Sequence, residues 1–159
     1  MPVPWLDAGQ IRGWGANEAT AMGAGYEFVE HTADCAIRVW ADDFPGLIQK
    51  ALEGLIHLMA DVEGLTGREA RLFEVSGESR EQVLVRALKE LLLLQDDGLL
   101  PVKAQVIAAS DSDAHFEVNC VPLAEVRDRL EAGVKAVTYH DLHIRQTIEG
   151  LAVEVVFDT

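Results

Sequence analysis

An α+β fold of mostly antiparallel sheets, with about seven strands and two main helices in a single domain, is predicted for this chain. Three observations predict it. Only two long stretches repeat apolar residues at helical spacing. The strand-like runs come in consecutive pairs, which suits antiparallel pairing better than the single strands of a doubly wound parallel sheet. The chain's last run alternates apolar and acidic residues at a period of two, the pattern of a strand.

The elements follow in the order β-β-α-β-α-β-β-β-β. Residues 26–30 and 35–41 read as two strands, with Ile37 and Val39 on one face. Asp42, Asp43 and Pro45 mark a helix start. Leu47, Ile48, Ala51, Leu52, Leu55, Ile56 and Met59 then form a broad apolar stripe on a helix of about four turns. Residues 71–76 read as a strand in which Leu72 and Phe73 face opposite ways. Ser79-Arg80-Glu81-Gln82 has the form of a capping box. The second helix follows, burying Val83, Leu84, Ala87, Leu88, Leu91 and Leu92 and stopping at Gly98. Residues 101–109 and 115–121 read as strands, the second alternating Phe116, Val118 and Cys120. Residues 123–130 suit either a short helix or a loop. Residues 134–147 read as one long or bent strand. In the last strand, 151–158, Leu151, Val153, Val155 and Phe157 point one way, and Glu154 and Asp158 the other.

Residues 1–25 carry Pro2, Pro4 and several glycines and have weak periodicity, so a partly disordered extension is expected ahead of a domain spanning 26–159. That extension lacks the basic start and apolar core of a secretory signal, and no apolar run approaches the roughly 18 residues of a membrane span. A cytoplasmic protein is expected. Cys35 and Cys120 stand alone, without a C-x-x-C or a Cys/His cluster, and read as structural thiols.

Composition is ordinary for a globular protein, at 49% hydrophobic and 25% charged, but the charge is not. Acids outnumber bases 27 to 13, for a net charge of −14. Nucleic-acid binding is driven by cationic side chains that neutralise phosphates, so direct tight nucleic-acid binding is not expected. An acidic surface suits a basic protein partner or cations.

Two acidic features stand at the ends of the strand pattern. His31-Thr32-Ala33-Asp34 breaks the first two apolar runs, and Asp158-Thr159 sets a side-chain carboxylate beside the terminal one. Taken alone, the first reads as a turn and the second as a solvated chain end. Carboxylates gathered in one place raise each other's pKa unless a cation joins them. If these ends meet in the fold, a hard cation that prefers oxygen ligands is the natural occupant.

Lys135-Ala136-Val137-Thr138-Tyr139-His140-Asp141-Leu142-His143 forms a third cluster. His140 and His143 invite a zinc reading, but on a strand their odd spacing puts them on opposite faces. Lys135 is open to two readings, a surface amine or a cation facing the carboxylates. Glu90, within Leu88-Lys89-Glu90-Leu91, reads as a solvated position beside the apolar stripe. The chain lacks a Walker A sequence, a G-x-S-x-G elbow and an H-E-x-x-H motif. Ser76, Ser79, Ser110 and Ser112 all sit in turn or cap settings, so no nucleophile stands out.

His-Thr-Ala-Asp after an opening strand, Lys-Ala-Val-Thr-Tyr-His late in the chain and a final strand ending in Asp-x together resemble the archease family. The resemblance runs from about residue 26 to residue 159. It is looser in the middle, at Leu58-Met59-Ala60-Asp61 and Leu88-Lys89-Glu90-Leu91-Leu92. There are departures. Cys35-Ala36 stands where the family has Ile-Gly, Lys89 where Asn is common, residues 115–123 lack a Gly-Glu pair, and the N-terminal extension is atypical.

The resemblance implies an archease-like fold and a non-enzymatic protein that activates an RtcB-type RNA ligase. That ligase joins a 2′,3′-cyclic or 3′-phosphate end to a 5′-hydroxyl in tRNA splicing and RNA repair. The activator promotes guanylylation of the ligase from GTP and supports multiple turnover. The resemblance also implies a divalent metal site, with calcium first and magnesium or manganese as alternatives. Asp34, Asp158 and the Thr159 carboxylate would be its ligands. Lys135 would be a functional neighbour, Glu90 a weaker transfer, and His31 would shape the turn. Two alternatives compete: a stand-alone metal-dependent phosphoesterase, with His140 as general base, and a general chaperone or scaffold. The oligomeric state is left open.

Overall fold

A computed structural model describes residues 23–30, 35–139 and 141–159. The opening hairpin pairs β1 (Gly25–Glu30) with β2 (Cys35–Ala41), antiparallel from Gly25↔Trp40 to Glu30↔Cys35. Helix α1 (Phe44–Met59) starts as its sequence predicts. Asp43 caps it by accepting from the Gly46 N–H at 2.9 Å, and Pro45 lies in the first turn, where its missing N–H costs nothing. Every residue of the predicted apolar stripe is buried, from Leu47 to Met59.

Strand β3 (Glu69–Ser76) leads to helix α2 (Arg80–Leu93). The predicted capping box is half formed. Ser79 Oγ accepts from the Gln82 N–H at 3.1 Å, while the Gln82 side chain reaches one residue further back and accepts from the Glu78 N–H at 2.7 Å. A 3₁₀ turn over Leu94–Asp97 closes on Gly98, whose φ of 73° is left-handed, as a helix stop requires. Strands β4 (Leu99–Ala109) and β5 (Asp113–Pro122) follow. The stretch 123–130 is neither one helix nor a plain loop but two short 3₁₀ turns, Leu123–Glu125 and Arg127–Arg129.

The largest correction falls on residues 134–147, expected as one long strand. Only β6 (Ala136–Val137) and β7 (Arg145–Thr147) are extended ladders. Between them Asp141 takes a left-handed φ of 51°, and the Leu142 N–H turns back onto the Tyr139 carbonyl at 3.1 Å. Burial of the Leu142 side chain draws this segment off the sheet line. His143 lies in this loop and His140 outside the described residues, so the opposite-face argument against a shared zinc loses its strand.

Strand β8 (Gly150–Asp158) closes the chain, bringing the described strands to eight. Its face assignment also needs correcting. Leu151, Val153, Val155 and Phe157 are buried as predicted, but so are Ala152 and Val156 on the face expected to be polar. Gly150 has φ 143°, and a Cβ there would lie 2.2 Å from the Ala41 carbonyl oxygen, so the turn into β8 requires glycine.

The strands form two antiparallel sheets. One runs β1-β2-β8-β6, with β7 also on β8; the other runs β3-β5-β4. Helix α1 packs against β1, β2 and β4, and α2 against β3, β5 and β6. One continuous core therefore joins both sheets through the helices. Among the described residues, no helix is long and apolar enough to cross a membrane.

Candidate functional site

The register of β2 against β8 pairs Cys35 with Phe157, so β2 begins where β8 ends. On the other edge of β8, Ala136 pairs with Asp158 and Val137 with Phe157. The Lys135 N–H donates to the Asp158 carbonyl at 2.8 Å, and the Thr138 N–H to the Val156 carbonyl at 2.9 Å. Three separate stretches of sequence thus meet at one end of the five-stranded sheet: the start of β2, the end of β8 and the start of the Lys135 motif.

Asp158, Thr159 and Lys135 are exposed there. The tip therefore offers the Asp158 side-chain carboxylate to solvent. Lys135 is joined to Asp158 through the backbone, and it forms no ion pair among the described residues. Asp34 and His31 lie outside the described residues. Glu90 is half-buried on α2, the helix that packs against β6; it has no hydrogen bond or ion pair with the tip among the described residues. Among those residues no group of three or more His, Cys, Asp or Glu side chains is placed to hold a metal. Asp158 alone supplies too few oxygens for a calcium ion, which takes six to eight, so further donors are needed.

Sequence reasoning missed the contacts of three side chains that position this region. Glu81, in the first turn of α2, accepts from the Ile144 N–H at 3.0 Å and pins the loop between β6 and β7. Arg38 and Glu154, cross-strand partners on β2 and β8, form an ion pair at 3.0 Å with 14% and 23% of their side chains exposed. The alternation of β8 marked Glu154 as facing away from the core, but nothing in one strand identifies its partner on another.

The cysteines are unpaired, as expected. Cys35 is half-buried near the tip. Cys120 is fully buried in β5, where burial pushes its thiol up to about 11 and keeps it protonated and inert at neutral pH.

The chain matches the model of the Archease protein family (MTH1598/TM1083) over residues 26–159. It is 32% identical over 130 residues to protein archease of Thermococcus gammatolerans, covering 79% of this chain and 91% of the relative. It is 26% identical over 144 residues to protein archease of Methanosarcina barkeri, covering 87% of this chain and 99% of the relative. The solution structure of Methanobacterium thermoautotrophicum protein 1598 shares the fold at a TM-score of 0.67 and 24% identity, covering 85% of this chain and 99% of that one. The crystal structure of a Thermotoga maritima archease, described as a possible chaperone, shares it at 0.59 and 22%, covering 82% and 94%.

Proposed function

Because the chain belongs to the archease family, we propose that it is a protein activator of an RtcB-type RNA ligase, acting through a cation-binding acidic tip. The observation that carries this reading is the meeting of β2, β8 and the Lys135 segment at one sheet end. The β2–β8 register ends at Cys35↔Phe157. In sequence, Asp34 immediately precedes Cys35 and Asp158 immediately follows Phe157. Asp34, Asp158 and the Thr159 carboxylate would hold a divalent ion. When bound, the ion would relieve the mutual repulsion of the carboxylates and let the tip approach phosphate groups.

The chain's own contribution is positional. Pairing with β6 and the Lys135 N–H on its carbonyl fix the backbone of Asp158, while the β2 ladder holds the neighbouring Phe157. Lys135 supplies a cation one residue from that ladder, and Glu81 holds the following loop in place. A net charge of −14 draws this surface to a basic, RNA-binding enzyme rather than to RNA itself. Docking driven this way weakens as salt rises.

The test is ligase turnover with and without the protein, and with Asp34→Ala and Asp158→Ala. Both variants should lose the stimulation; full stimulation by both removes the proposal. Incubating the protein alone with metal and a 2′,3′-cyclic phosphate substrate tests the phosphoesterase alternative. Turnover without ligase would favour it.

A further inference from the structure

A cleft of about 660 Å³ lies between α1 and β4, away from the acidic tip, and is lined by Gln49, Glu53, Ile56, His57 and residues 102–106. That volume suits a small ligand or a short stretch of peptide. One wall is the free edge of β4, the outermost strand of its sheet. An edge strand presents unpaired N–H and C=O groups to any chain able to pair with it.

Here a side chain occupies the place of a neighbouring strand. Gln49 Nε2 donates to the Ala104 carbonyl at 2.8 Å, and its Oε1 accepts from the Val106 N–H at 2.7 Å. A primary amide offers one donor and one acceptor, as a peptide group does, and this one meets two alternate residues of β4 just as a fourth strand would. The same nitrogen also donates to Glu53 Oε2 at 2.7 Å, which steadies the amide. Residues 102–106 of the edge line the cleft.

We propose that this cleft is a strand-addition site for an extended acidic segment of a protein partner, with the Gln49 amide holding the position of the incoming strand. The charges facing the cleft choose the partner. Glu53 is already matched by Lys50 at 3.1 Å and by Gln49. His57 is exposed and shares its Nδ1 with the Tyr26 hydroxyl. Lys103, on β4 itself, is exposed and has no ion pair among the described residues. The uncommitted charge in the cleft is therefore positive, on a chain that is otherwise strongly acidic. A carboxylate opposite Lys103 on an added strand gains a cross-strand partner, whereas a lysine there meets like charge. The main-chain bonds supply affinity for any extended segment, and Lys103 supplies the selection.

The test titrates the full, isotope-labelled chain with two synthetic six-residue peptides, one alternating valine with aspartate and the other valine with lysine, and follows backbone amide shifts by NMR. The aspartate peptide should shift Ala104, Val106 and the Gln49 side-chain amide, and should bind several-fold more tightly than the lysine peptide, about the worth of one exposed ion pair. Lys103→Glu, a substitution at an exposed position that leaves packing intact, should reverse that preference. Shifts confined to other surfaces, equal binding of the two peptides, or an unchanged preference in Lys103→Glu would each overturn the proposal.

Discussion

The two sheets are closed to different degrees. In the five-stranded sheet the central strands β2 and β8 bury both faces, Ile37, Val39, Val153, Val155 and Phe157 on one and Ala36, Trp40, Ala152 and Val156 on the other. In the three-stranded sheet β5 buries Ala114, Phe116, Val118 and Cys120, while His115, Glu117 and Asn119 between them are only half-buried. Its neighbour β3 leaves Leu72 73% exposed. The sheet with two buried faces carries the proposed functional end of the molecule, and the sheet with one carries the edge that Gln49 occupies. A ladder buried on both faces resists slippage, because a shift of one residue would drive Glu154 and Arg38 into the core. That resistance is what a site assembled from strand ends requires.

Substitutions can break or sharpen this contrast. The largest effect is expected at Phe157, fully buried beside the tip. Phe157→Ala should cost about 3–5 kcal/mol in urea unfolding, through lost burial and the cavity left behind. Gly150→Ala comes next, at about 3 kcal/mol, because the added Cβ meets the Ala41 carbonyl and the backbone sits at a φ that other residues avoid. Thermal melts of this variant measure how firmly the β2–β8 ladder depends on its turn.

Glu27, partner of Arg38 on β1, gives a smaller, pH-dependent effect. Burial raises its carboxyl pKa, and Arg38 offsets this only in part. Folding therefore favours the protonated form, and the stability that Glu27 contributes falls as pH rises through its folded pKa. Glu27→Gln should raise Tm at pH 7, and the gain should disappear below about pH 4, where the unfolded chain is protonated as well. The smallest effect belongs to the open sheet. Leu72→Ala should change stability by no more than about 0.5 kcal/mol, as at other exposed positions. A large loss there would mean that this face is covered in solution and that the contrast fails.

Much of this architecture was legible in the chain. The helix stripes, the Asp43 and Ser79 caps, the opening hairpin and the last strand all follow from local periodicity and local hydrogen bonding. The misreadings share a cause, since each depended on a partner distant in sequence. Residues 134–147 look like one strand until burial of Leu142 and the turn at Asp141 divide them. Ala152 and Val156 look like the second face of a half-exposed strand, although Leu151–Phe157 without Glu154 is a continuous apolar run, the pattern of a strand buried on both sides. Gln49 and Glu81 each act on the backbone of a remote segment, more than fifty residues away, and no local spacing announces such a contact. Of the site, Asp158, Thr159 and Lys135 were singled out from sequence, and the fold brings their backbones together. Glu90 was also singled out, and it stands apart from them in the hydrogen-bond network.

The most direct measurement is multiple-turnover ligation of a 2′,3′-cyclic phosphate RNA end by an RtcB-type ligase, with GTP, a divalent metal and either the unaltered protein or its Asp158→Ala variant. The acidic tip predicts strong stimulation by the first and a loss of at least about tenfold with the second, while the melting curve of the variant stays close to that of the parent, because Asp158 is exposed. Equal stimulation by both proteins would contradict it.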